Sequence, residues 1–398
     1  MTEAEAEPLL PLSGRRVVDL TRNVAGPYAA MILAELGADV VKVEAPGRGD
    51  DTRDWGPPFW NEWSSIFLSL NRNKRAITLD LKKPSSREVM HRLVASADVL
   101  IESFRAGWMQ AAGYGYDWAA EINPALIYCS LTSYGDRGPL RSHPGYDPLM
   151  QAVGGIMSVT GHEGTPPVRV GVSLIDMGTG MWSALAILAA LVERATTGRG
   201  RHLTTALYET ALTWMTYHLT SYWGTGQSPR RRGSGVGSIA PYQAFATTDG
   251  HLVIAAGNDE LFAKLSRSLD HPEWARDPRW RRNSDRVRNA EALGEAIEAV
   301  TATRSSSDLS QRLLEAGVPC GPVRDAEAVA TDPQTLASGI VQHLDMEGIP
   351  DFRSIGLPFV VDGVRAPLRT PPPRLGQHNH EILAELGFAA EAIRALTS

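Results

Sequence analysis

The sequence predicts an α/β fold with a parallel sheet in a large domain, followed by a smaller α+β domain. Three observations support this prediction. A strand, a helix and a second strand follow one another over residues 16–44, further short apolar strands ending in loops follow up to residue 131, and the composition changes near Thr225. Parallel strands joined by helices are typical of α/β proteins. The length of 398 residues also exceeds what one hydrophobic core usually supports.

The first strand–helix–strand unit has clear boundaries. Residues 16–20 and 38–44 are short apolar runs that predict strands, and a helix is predicted between them over 27–36. Proline is favoured at the first helical position and glycine just after the last, as Pro27 and Gly37 are here. We therefore expect the two strands to be parallel.

The same pattern recurs further along the chain. Strands are predicted at 76–81, 98–102 and 126–131, with a polar-faced helix over 85–96. In open α/β sheets, ligands bind beyond the carboxyl ends of the strands. The loops that we expect to line one site are 21–26, 103–107, 132–138 and 176–180.

Asp176 is the most informative single residue. It ends an apolar, β-branched run over 168–176, which predicts a strand, and precedes the apolar run 177–191, which predicts a helix. Aspartate at such a junction has two interpretations. It is a preferred helix N-cap, or it is a reactive carboxylate beside glycines, Gly178 and Gly180, that admit close approach of backbone or ligand.

The smaller domain is predicted after a stretch rich in Gly, Ser and Arg over 224–238. A β-hairpin with an Asp-Gly turn is predicted over 242–256, and helices at about 259–270 and 289–316. The predicted division is 1–224 for the large domain, 225–327 for the small domain and 328–398 for a return segment. The C-terminal helix, from about His380, is expected to pack on the large domain.

Composition excludes several classes of protein. The net charge of −6 argues against a nucleic-acid binder, and the basic cluster 230–232 is interpreted as a solvated loop. Cys129 and Cys320 are too few for a disulfide framework or a zinc site. The acidic N-terminus lacks the features of a signal peptide, and the apolar stretch around 184–192 is too short to cross a bilayer. We expect a soluble, cytoplasmic protein that binds neither nucleic acid nor membrane.

A series of motifs follows in order along nearly the whole chain. They are Val24-Ala-Gly-Pro-Tyr28, Leu36-Gly-Ala-Asp-Val-Val-Lys-Val-Glu44, Gly49-Asp-Asp-Thr-Arg-Asp-Trp-Gly-Pro-Pro58, Asn71-Arg-Asn-Lys-Arg75 with Leu79-Asp-Leu81, Asp98-Val-Leu-Ile-Glu-Ser-Phe-Arg105, Tyr134-Gly-Asp-Arg-Gly-Pro139, Gly145-Tyr-Asp-Pro-Leu-Met-Gln151, Asp176 with its helix, and Pro373-Arg-Leu-Gly-Gln-His378. This series resembles the class III CoA-transferase family, which includes the formyl-CoA and carnitine CoA-transferases.

The resemblance implies a Rossmann-like large domain, a small domain with two chain crossings between them, and an interlocked homodimer. It implies an acyl-CoA and a carboxylic acid as substrates, with coenzyme A as the transferred group and no metal or redox cofactor. Asp176 matches the catalytic nucleophile of the family, whereas Gln377 and His378 match a motif that we interpret as structural. The positions that match the family's CoA contacts are Val24, Ala25, Leu79, Asp80, Leu81, Ser103, Phe104, Arg105, Thr132, Ser133, Tyr134 and Gly135.

Some positions depart from the family pattern. Ser103 replaces the usual Asn, Ala111 replaces a frequent basic residue, and the lysine of formyl-CoA transferase is missing near Thr132. The phosphates of CoA need cationic partners. The candidates are Arg105, which lies in the matching loop, and Lys74, Arg75 and Arg53.

Two further features of the family's chemistry have candidates in this sequence. Tetrahedral intermediates need hydrogen-bond donors, and the backbone N–H groups near Gly26 or Gly178 are candidates. Residues 233–237 form either a glycine loop that closes over the site or an ordinary interdomain loop.

Two other functions stay open on sequence. An α-methylacyl-CoA racemase of the same superfamily needs two acid–base groups, but Tyr146 stands where racemases have histidine, and tyrosine is a poor base at neutral pH. A non-catalytic CoA-binding protein is the second, since fold alone does not define function, although Asp176 argues against it. A dinucleotide-dependent dehydrogenase is disfavoured because residues 21–27 lack the Gly-x-Gly-x-x-Gly pattern.

The substrate is less clearly indicated than the reaction. Residues 240–245 and 256–259 resemble family members that use succinyl-CoA and dicarboxylic acids, while a long-chain or bile-acid substrate stays open. A dicarboxylate needs a cation for its second carboxylate, and the candidates are Arg169 and the cluster 230–232.

Overall fold

The computed structural model describes residues 8–397 of the chain. Within these residues the strands are β1 (Arg16–Leu20), β2 (Asp39–Glu44), β3 (Phe59–Trp60), β4 (Trp63–Ser64), β5 (Lys74–Thr78), β6 (Val99–Glu102), β7 (Ile127–Thr132), β8 (Arg201–Ala206), β9 (Tyr242–Thr247), β10 (Gly250–Ala255), β11 (Cys320–Pro322), β12 (Val341–Met346) and β13 (Ile349–Ile355). The α-helices are α1 (Ala25–Glu35), α2 (Ser65–Leu70), α3 (Ser86–Ser96), α4 (Trp108–Ala111), α5 (Tyr116–Ile122), α6 (Asp147–Val153), α7 (Ile156–Val159), α8 (Leu174–Thr197), α9 (Leu207–Trp214), α10 (Thr216–Thr225), α11 (Asp259–Ser268), α12 (Asn283–Arg288), α13 (Ala290–Thr301), α14 (Ser306–Glu315), α15 (Ala326–Ala330), α16 (Pro333–Ala337), α17 (Asn379–Glu385) and α18 (Ala390–Thr397). Two 3₁₀ helices lie at Asp51–Asp54 and Pro272–Arg276.

The larger of two compact units, formed by residues up to 156, 169–220 and from 333 onward, contains a six-stranded parallel sheet. The strand order is β5-β2-β1-β6-β7-β8, and each neighbouring pair is parallel. The chain runs from β1 to β2 and β5 on one side, then returns to β6, β7 and β8 on the other. The predicted α/β class with a parallel sheet is confirmed. The order reverses between β1 and β6, and doubly wound sheets bind ligands at such a switch point.

Successive residues of the strands pack against different layers of helices. Val17 and Val99 lie in one buried cluster with Ile187 of α8, whereas Val18 lies in another with Leu93 of α3. Parallel strands are usually covered on both faces. This explains why these strands are recognisable in the sequence as short, continuous apolar runs.

The predicted strand over 168–176 is wrong. Residues 168–173 form no strand, and α8 begins at Leu174, so that Asp176 lies in the first turn of a helix. Val168 and Val172 of this run are exposed, and the sixth place in the sheet is taken by β8. β8 was not expected from the sequence, because its first residues are polar and exposed where the strand forms an edge of the sheet.

α8 is longer than the apolar stretch at 184–192 suggested. It has 24 residues and, by length and composition alone, is apolar enough to cross a membrane, which corrects the sequence-based expectation. Core helices of soluble proteins pass the same test. Ala184, Ile187 and Ala190 of α8 are buried in one cluster with side chains of α1 and the sheet.

Smaller differences concern element boundaries. α1 begins at Ala25 rather than Pro27, and β5 covers 74–78 rather than 76–81. The helical stretch predicted over 289–316 is two helices, because the Ser305 side chain accepts a hydrogen bond from the N–H of Asp308 and caps α14.

The second compact unit comprises residues 157–168 and 221–332. β9, β10 and β11 form an antiparallel sheet that includes the predicted hairpin, and α11, α13 and α14 contribute to a core around Phe245 and Phe262. Residues 157–168, which the sequence analysis assigned to the large domain, pair with this unit through a bridge between Gly161 and Gly233. The predicted domain boundaries stay predictions.

The C-terminal segment belongs to the larger unit. β12 and β13 form an antiparallel hairpin that the sequence analysis did not predict, and Phe352 of β13 packs with Trp63 and Phe67. α17 lies beside β5, where the N–H of Ala76 donates to Nδ1 of His378 at 3.0 Å. This contact agrees with a structural role for His378.

Candidate active site

A cavity of about 260 Å³ lies at the carboxyl edge of the parallel sheet. The loops after β1, β6 and β7, the segment 141–146 and the first turn of α8 form its walls, so all four loops expected to share a site contribute to it. It coincides with the switch point between β1 and β6. The lining residues are Arg22, Asn23, Ala25, Gly26, Trp55, Ser103, Phe104, Arg105, Ala106, Leu131, Thr132, Ser133, Arg141, Ser142, His143, Pro144, Gly145, Tyr146, Asp176 and Leu207.

The close approach of α8 to α1 brings Asp176 into this cavity. Gly180 of α8 lies so near α1 that a Cβ at this position would be 2.6 Å from the carbonyl oxygen of Ala25. Residues four apart share one face of a helix, so Asp176 lies on the same face, one turn nearer the start of α8. The absence of a side chain at Gly180 therefore allows the backbones of α8 and α1 to come close together.

Asp147 holds the amino end of α8. Its Oδ2 accepts hydrogen bonds from the N–H groups of Ile175 at 2.7 Å and Asp176 at 3.3 Å. Its Oδ1 accepts one from Nε2 of Gln151 at 2.6 Å, and Oε1 of Gln151 accepts one from the N–H of Val170 at 2.8 Å. The first N–H groups of a helix have no partner inside it. Asp147 thus performs the capping that the sequence analysis considered for Asp176.

The Asp176 carboxyl group has an unusual protonation equilibrium. Burial raises its pKa to about 7, and the negative charge of Asp147 adds to the shift. Both effects disfavour the anion, the first because water no longer solvates it and the second by repulsion. The Asp176 carboxyl group is therefore harder to ionise than an ordinary aspartate. A weakly solvated carboxylate in a cavity is a candidate nucleophile.

The amino end of α1 contributes to the same cavity. Val24 precedes the helix without a side-chain cap, and Pro27 has no N–H group. The N–H groups of Ala25 and Gly26 lie in the first turn, where no acceptor exists inside the helix, and both residues line the cavity. Gly178 instead lies within α8, where an added Cβ would meet Trp214. Of the two candidate oxyanion donors, Gly26 is the one that lines the cavity.

The structure brings part of the predicted site together. Asp176 shares the cavity with predicted CoA contacts from three loops. These contacts are Ala25, Ser103, Phe104, Arg105, Thr132 and Ser133. Ser103 also joins two of the loops, because its Oγ accepts a hydrogen bond from the N–H of Arg22 at 3.2 Å.

Other predicted CoA contacts lie outside the cavity. Residues 79–81 follow β5, which is two strands from β1 at the edge of the sheet. Gly135 follows β7, and its N–H donates to Oγ1 of Thr132 at 2.9 Å. The residues concerned are Val24, Leu79, Asp80, Leu81, Tyr134 and Gly135, and their contact with CoA stays a prediction.

Three of the four cations suggested for the CoA phosphates do not line the cavity. Each of them forms an ion pair with a carboxylate of the same chain. Lys74 is fully buried, and its ammonium group also donates to the carbonyl oxygen of Pro27 at 2.9 Å. The internal ion pairs are Lys74–Asp19 at 3.0 Å, Arg75–Asp39 at 2.6 Å and Arg53–Glu44 at 2.7 Å. Arg105 is the suggested cation that lines the cavity.

Sequence reasoning missed several polar residues of the cavity. Arg22, Arg141 and His143 add positive or titratable groups, and Tyr146 lies beside them. The signal for Arg22 was its place in a loop already assigned to the site. Arg141 and His143 directly precede the motif that contains Asp147, and this proximity could have indicated them.

Within residues 8–397, no three His, Cys, Asp or Glu side chains converge as a metal site. The expectation that the protein needs no metal stays a prediction.

The fold and cavity define an α/β protein with a partly buried carboxyl group at the switch point of its sheet. The model of CoA-transferase family III matches residues 12–379, and the chain belongs to this family. An acyl-CoA transferase of Fusarium pseudograminearum is 40% identical over 96% of this chain and 86% of its own length. The mouse succinyl-CoA:glutarate CoA-transferase is 38% identical over 96% of this chain and 88% of its own.

A solved structure gives the same result. The CaiB/BaiF family protein from Brucella suis is 40% identical, with a TM-score of 0.85 over 94% of this chain and 99% of that protein. The protein is therefore a CoA-transferase, whose substrates are acyl-CoA thioesters and carboxylates. This assignment is preferred to the racemase and the non-catalytic CoA-binding protein that the sequence left open.

Proposed function

We propose that this enzyme transfers CoA from succinyl-CoA to a dicarboxylic acid through an aspartyl-CoA thioester on Asp176. The observation that carries the proposal is the position of Asp176, a carboxyl group with a pKa raised to about 7 in the cavity at the switch point of the sheet. The choice of substrates rests on the similarity to the mouse succinyl-CoA:glutarate enzyme.

The proposed reaction has two symmetrical halves. The Asp176 carboxylate attacks the thioester carbonyl of succinyl-CoA and expels the CoA thiolate, which leaves a mixed anhydride. The thiolate then attacks the aspartyl carbonyl, releases succinate and forms aspartyl-CoA. The acceptor carboxylate attacks aspartyl-CoA in the same way, and the thiolate finally attacks the acceptor carbonyl and frees Asp176. Covalent catalysis divides one difficult exchange into easier steps.

Each attack produces a tetrahedral oxyanion that needs donors. We assign this role to the backbone N–H groups of Ala25 and Gly26, because they belong to the first turn of α1 and line the cavity with Asp176. Preorganised backbone donors stabilise developing charge without reorganisation. The anhydride and the thioester must also be protected from water. Closure by the glycine loop 233–237, one of the two interpretations of that segment, stays a prediction.

Cations of the cavity are the proposed partners of the anionic substrates. Arg22, Arg105 and Arg141 line it, and guanidinium groups bind phosphates and carboxylates through paired hydrogen bonds. We assign Arg22 and Arg105 to the CoA phosphates, since they lie in the loops that match CoA contacts. Arg141 is the proposed partner of the second carboxylate, in preference to Arg169 and the cluster 230–232, which do not line the cavity.

The enzyme is further proposed to act as an interlocked homodimer in the cytoplasm. The supporting observation is a group of exposed apolar side chains on α8 and on α10. Met181, Trp182, Leu185, Val192 and Tyr217 are exposed there, and exposed apolar patches mark interaction surfaces. Light scattering coupled to gel filtration tests this assembly, and a monomeric mass at micromolar concentration would contradict it.

The decisive experiment is to trap the intermediate. The protein is incubated with succinyl-CoA, treated with hydroxylamine or borohydride, and digested for mass spectrometry. We expect modification at Asp176 and none in the Asp176→Ala variant. An unmodified Asp176 in an enzyme that still exchanges CoA would refute the aspartyl mechanism. Acceptor screening with glutarate, longer dicarboxylates and monocarboxylates then tests the substrate class.

A further inference from the structure

Two lysines of the central sheet are buried where cations are rarely found. Lys42 on β2 and Lys74 on β5 have fully buried side chains. Nζ of Lys42 lies 2.8 Å from Oδ2 of Asp50, and Nζ of Lys74 lies 3.0 Å from Oδ2 of Asp19, which are also fully buried. None of these four residues lines the cavity, and the proposed reaction uses none of them.

All four charged groups also bind the backbone of one segment, residues 21–27. Lys42 donates to the carbonyl oxygen of Thr21 at 3.0 Å, and Asp19 accepts from the N–H of Thr21 at 2.9 Å. Asp50 accepts from the N–H of Asn23 at 3.1 Å. Lys74 donates to the carbonyl oxygen of Pro27 at 2.9 Å. The segment is therefore attached at its beginning, its middle and its end.

This segment has a compact backbone conformation, with one residue in the left-handed region and one close backbone approach. Asn23 has a φ of 69°, in the left-handed region. Gly26 lies so close to Thr21 that a Cβ would be 2.3 Å from the Thr21 Cβ. Side chains outside the segment must hold such a conformation. The same segment carries the N–H groups of Ala25 and Gly26, the proposed oxyanion donors.

The two ion pairs are not explained by stability alone. The free energy that two charges lose when they leave water generally exceeds the free energy gained from their attraction. Apolar replacements of a buried pair are therefore often neutral or stabilising. The two lysines differ in this respect: burial lowers the pKa of Lys74 to about 8, whereas the carboxylates around Lys42 raise the pKa of that lysine.

We propose that the pairs Lys42–Asp50 and Lys74–Asp19 are positioning residues, which hold residues 21–27 so that the N–H groups of Ala25 and Gly26 meet the oxyanion formed at Asp176. This inference rests on the proposed aspartyl mechanism. It predicts that the ion pairs are needed for the rate of the chemical step and not for the fold.

Two double variants test the proposal, Lys42→Met with Asp50→Leu and Lys74→Met with Asp19→Leu. Each replaces one pair by apolar side chains of similar size, and the two are compared with each other because Lys42 and Lys74 both interact with Asp19 and Asp50. The control is Arg194→Met, which removes an ion pair to Asp98 at 2.6 Å. Asp98 directly precedes β6, at the edge of the sheet opposite the cavity.

The measurements are the rate of adduct formation at Asp176, kcat and KM for succinyl-CoA, and the melting temperature. We expect a folded double variant to lose about 100-fold in adduct rate and kcat, as misplaced groups typically do, with a smaller change in KM. Hydrogen exchange in residues 21–27 should become faster, while the rest of the sheet stays protected. The control should keep the wild-type adduct rate.

A double variant that is folded and reacts at the wild-type rate overturns the proposal. So does a control that loses as much rate as the double variants, because the effect would then be one of general stability. A wild-type enzyme that gives no adduct at Asp176 refutes the proposed function itself, and this outcome is visible before any variant is made.

Discussion

Replacing Asp176, the proposed nucleophile, should make the protein more stable, and the gain should depend on pH. The side chain of Asp176 is partly buried and close to Asp147, and its pKa is raised to about 7 from an ordinary 3.8. The folded protein therefore binds this proton more tightly than the unfolded chain. Asn has nearly the same shape and no charge, so Asp176→Asn removes the unfavourable ionisation.

The sign and size of the effect follow from the pKa difference. Below pH 4 both states are protonated, and stability is lost as the pH rises toward 7, where the folded state also ionises. One pKa unit corresponds to about 1.4 kcal/mol, so the full loss is about 4 kcal/mol above pH 7. At pH 5 the same pKa values give about 2 kcal/mol. The stability advantage of Asp176→Asn should thus grow by about 2 to 3 kcal/mol between pH 5 and pH 8.

Urea denaturation at pH 5, 6, 7 and 8, followed by tryptophan fluorescence, measures this difference. The control is Asp136→Asn, whose side chain is 69% exposed, and for which we expect a constant difference from wild type. If the difference in unfolding free energy between Asp176→Asn and wild type is the same at pH 5 and pH 8, ionisation of Asp176 does not destabilise the folded protein, and the prediction is refuted. If Asp176→Asn is less stable than wild type and the deficit grows with pH, the folded protein favours the ionised form of Asp176, which is the opposite of the prediction.

Three other predictions follow from the same contacts. Asp147→Asn removes the neighbouring negative charge, so the rise of adduct formation with pH should shift to lower pH, and an unshifted pH–rate profile would contradict the Asp147 contribution. Gly180→Ala places a Cβ 2.6 Å from the carbonyl oxygen of Ala25. It should lower the free energy of unfolding by about 1 to 3 kcal/mol in urea denaturation, and it should also lower kcat. A variant with wild-type kcat would show that catalysis does not need the close approach of α1 and α8. Arg105→Ala should raise KM for succinyl-CoA about tenfold, the equivalent of about 1.4 kcal/mol, whereas Arg137→Ala, which removes an exposed side chain outside the cavity, should leave KM unchanged.

Local sequence patterns were sufficient to predict the strands that are buried on both faces. Strands such as β1 and β6 are covered on both faces, and a continuous run of apolar residues in the sequence indicates such a strand. The run at 168–172 is also rich in valine, but it pairs with no strand among the described residues, and Val172 is exposed. A strand requires a partner, which local composition does not reveal.

The cavity illustrates the same limit for charged residues. The sequence offers Lys74, Arg75 and Arg105 as candidate cations and favours Arg105 only because it lies in the loop that matches the family. Only the folded chain brings Asp19 and Asp39 to the first two and leaves Arg105 in the cavity. Partners distant in the chain decide which cations are available for a ligand.

The amino-acid sequence by itself determined the α/β class, the family and the choice of Asp176 as the residue to examine, because these depend on composition, motif order and residue identity. The tertiary structure decided that Asp176 lies inside a helix capped by Asp147. It also decided that the carboxyl group titrates near neutral pH. Both properties arise from burial and from a carboxylate 29 residues earlier, and only folding brings these groups together.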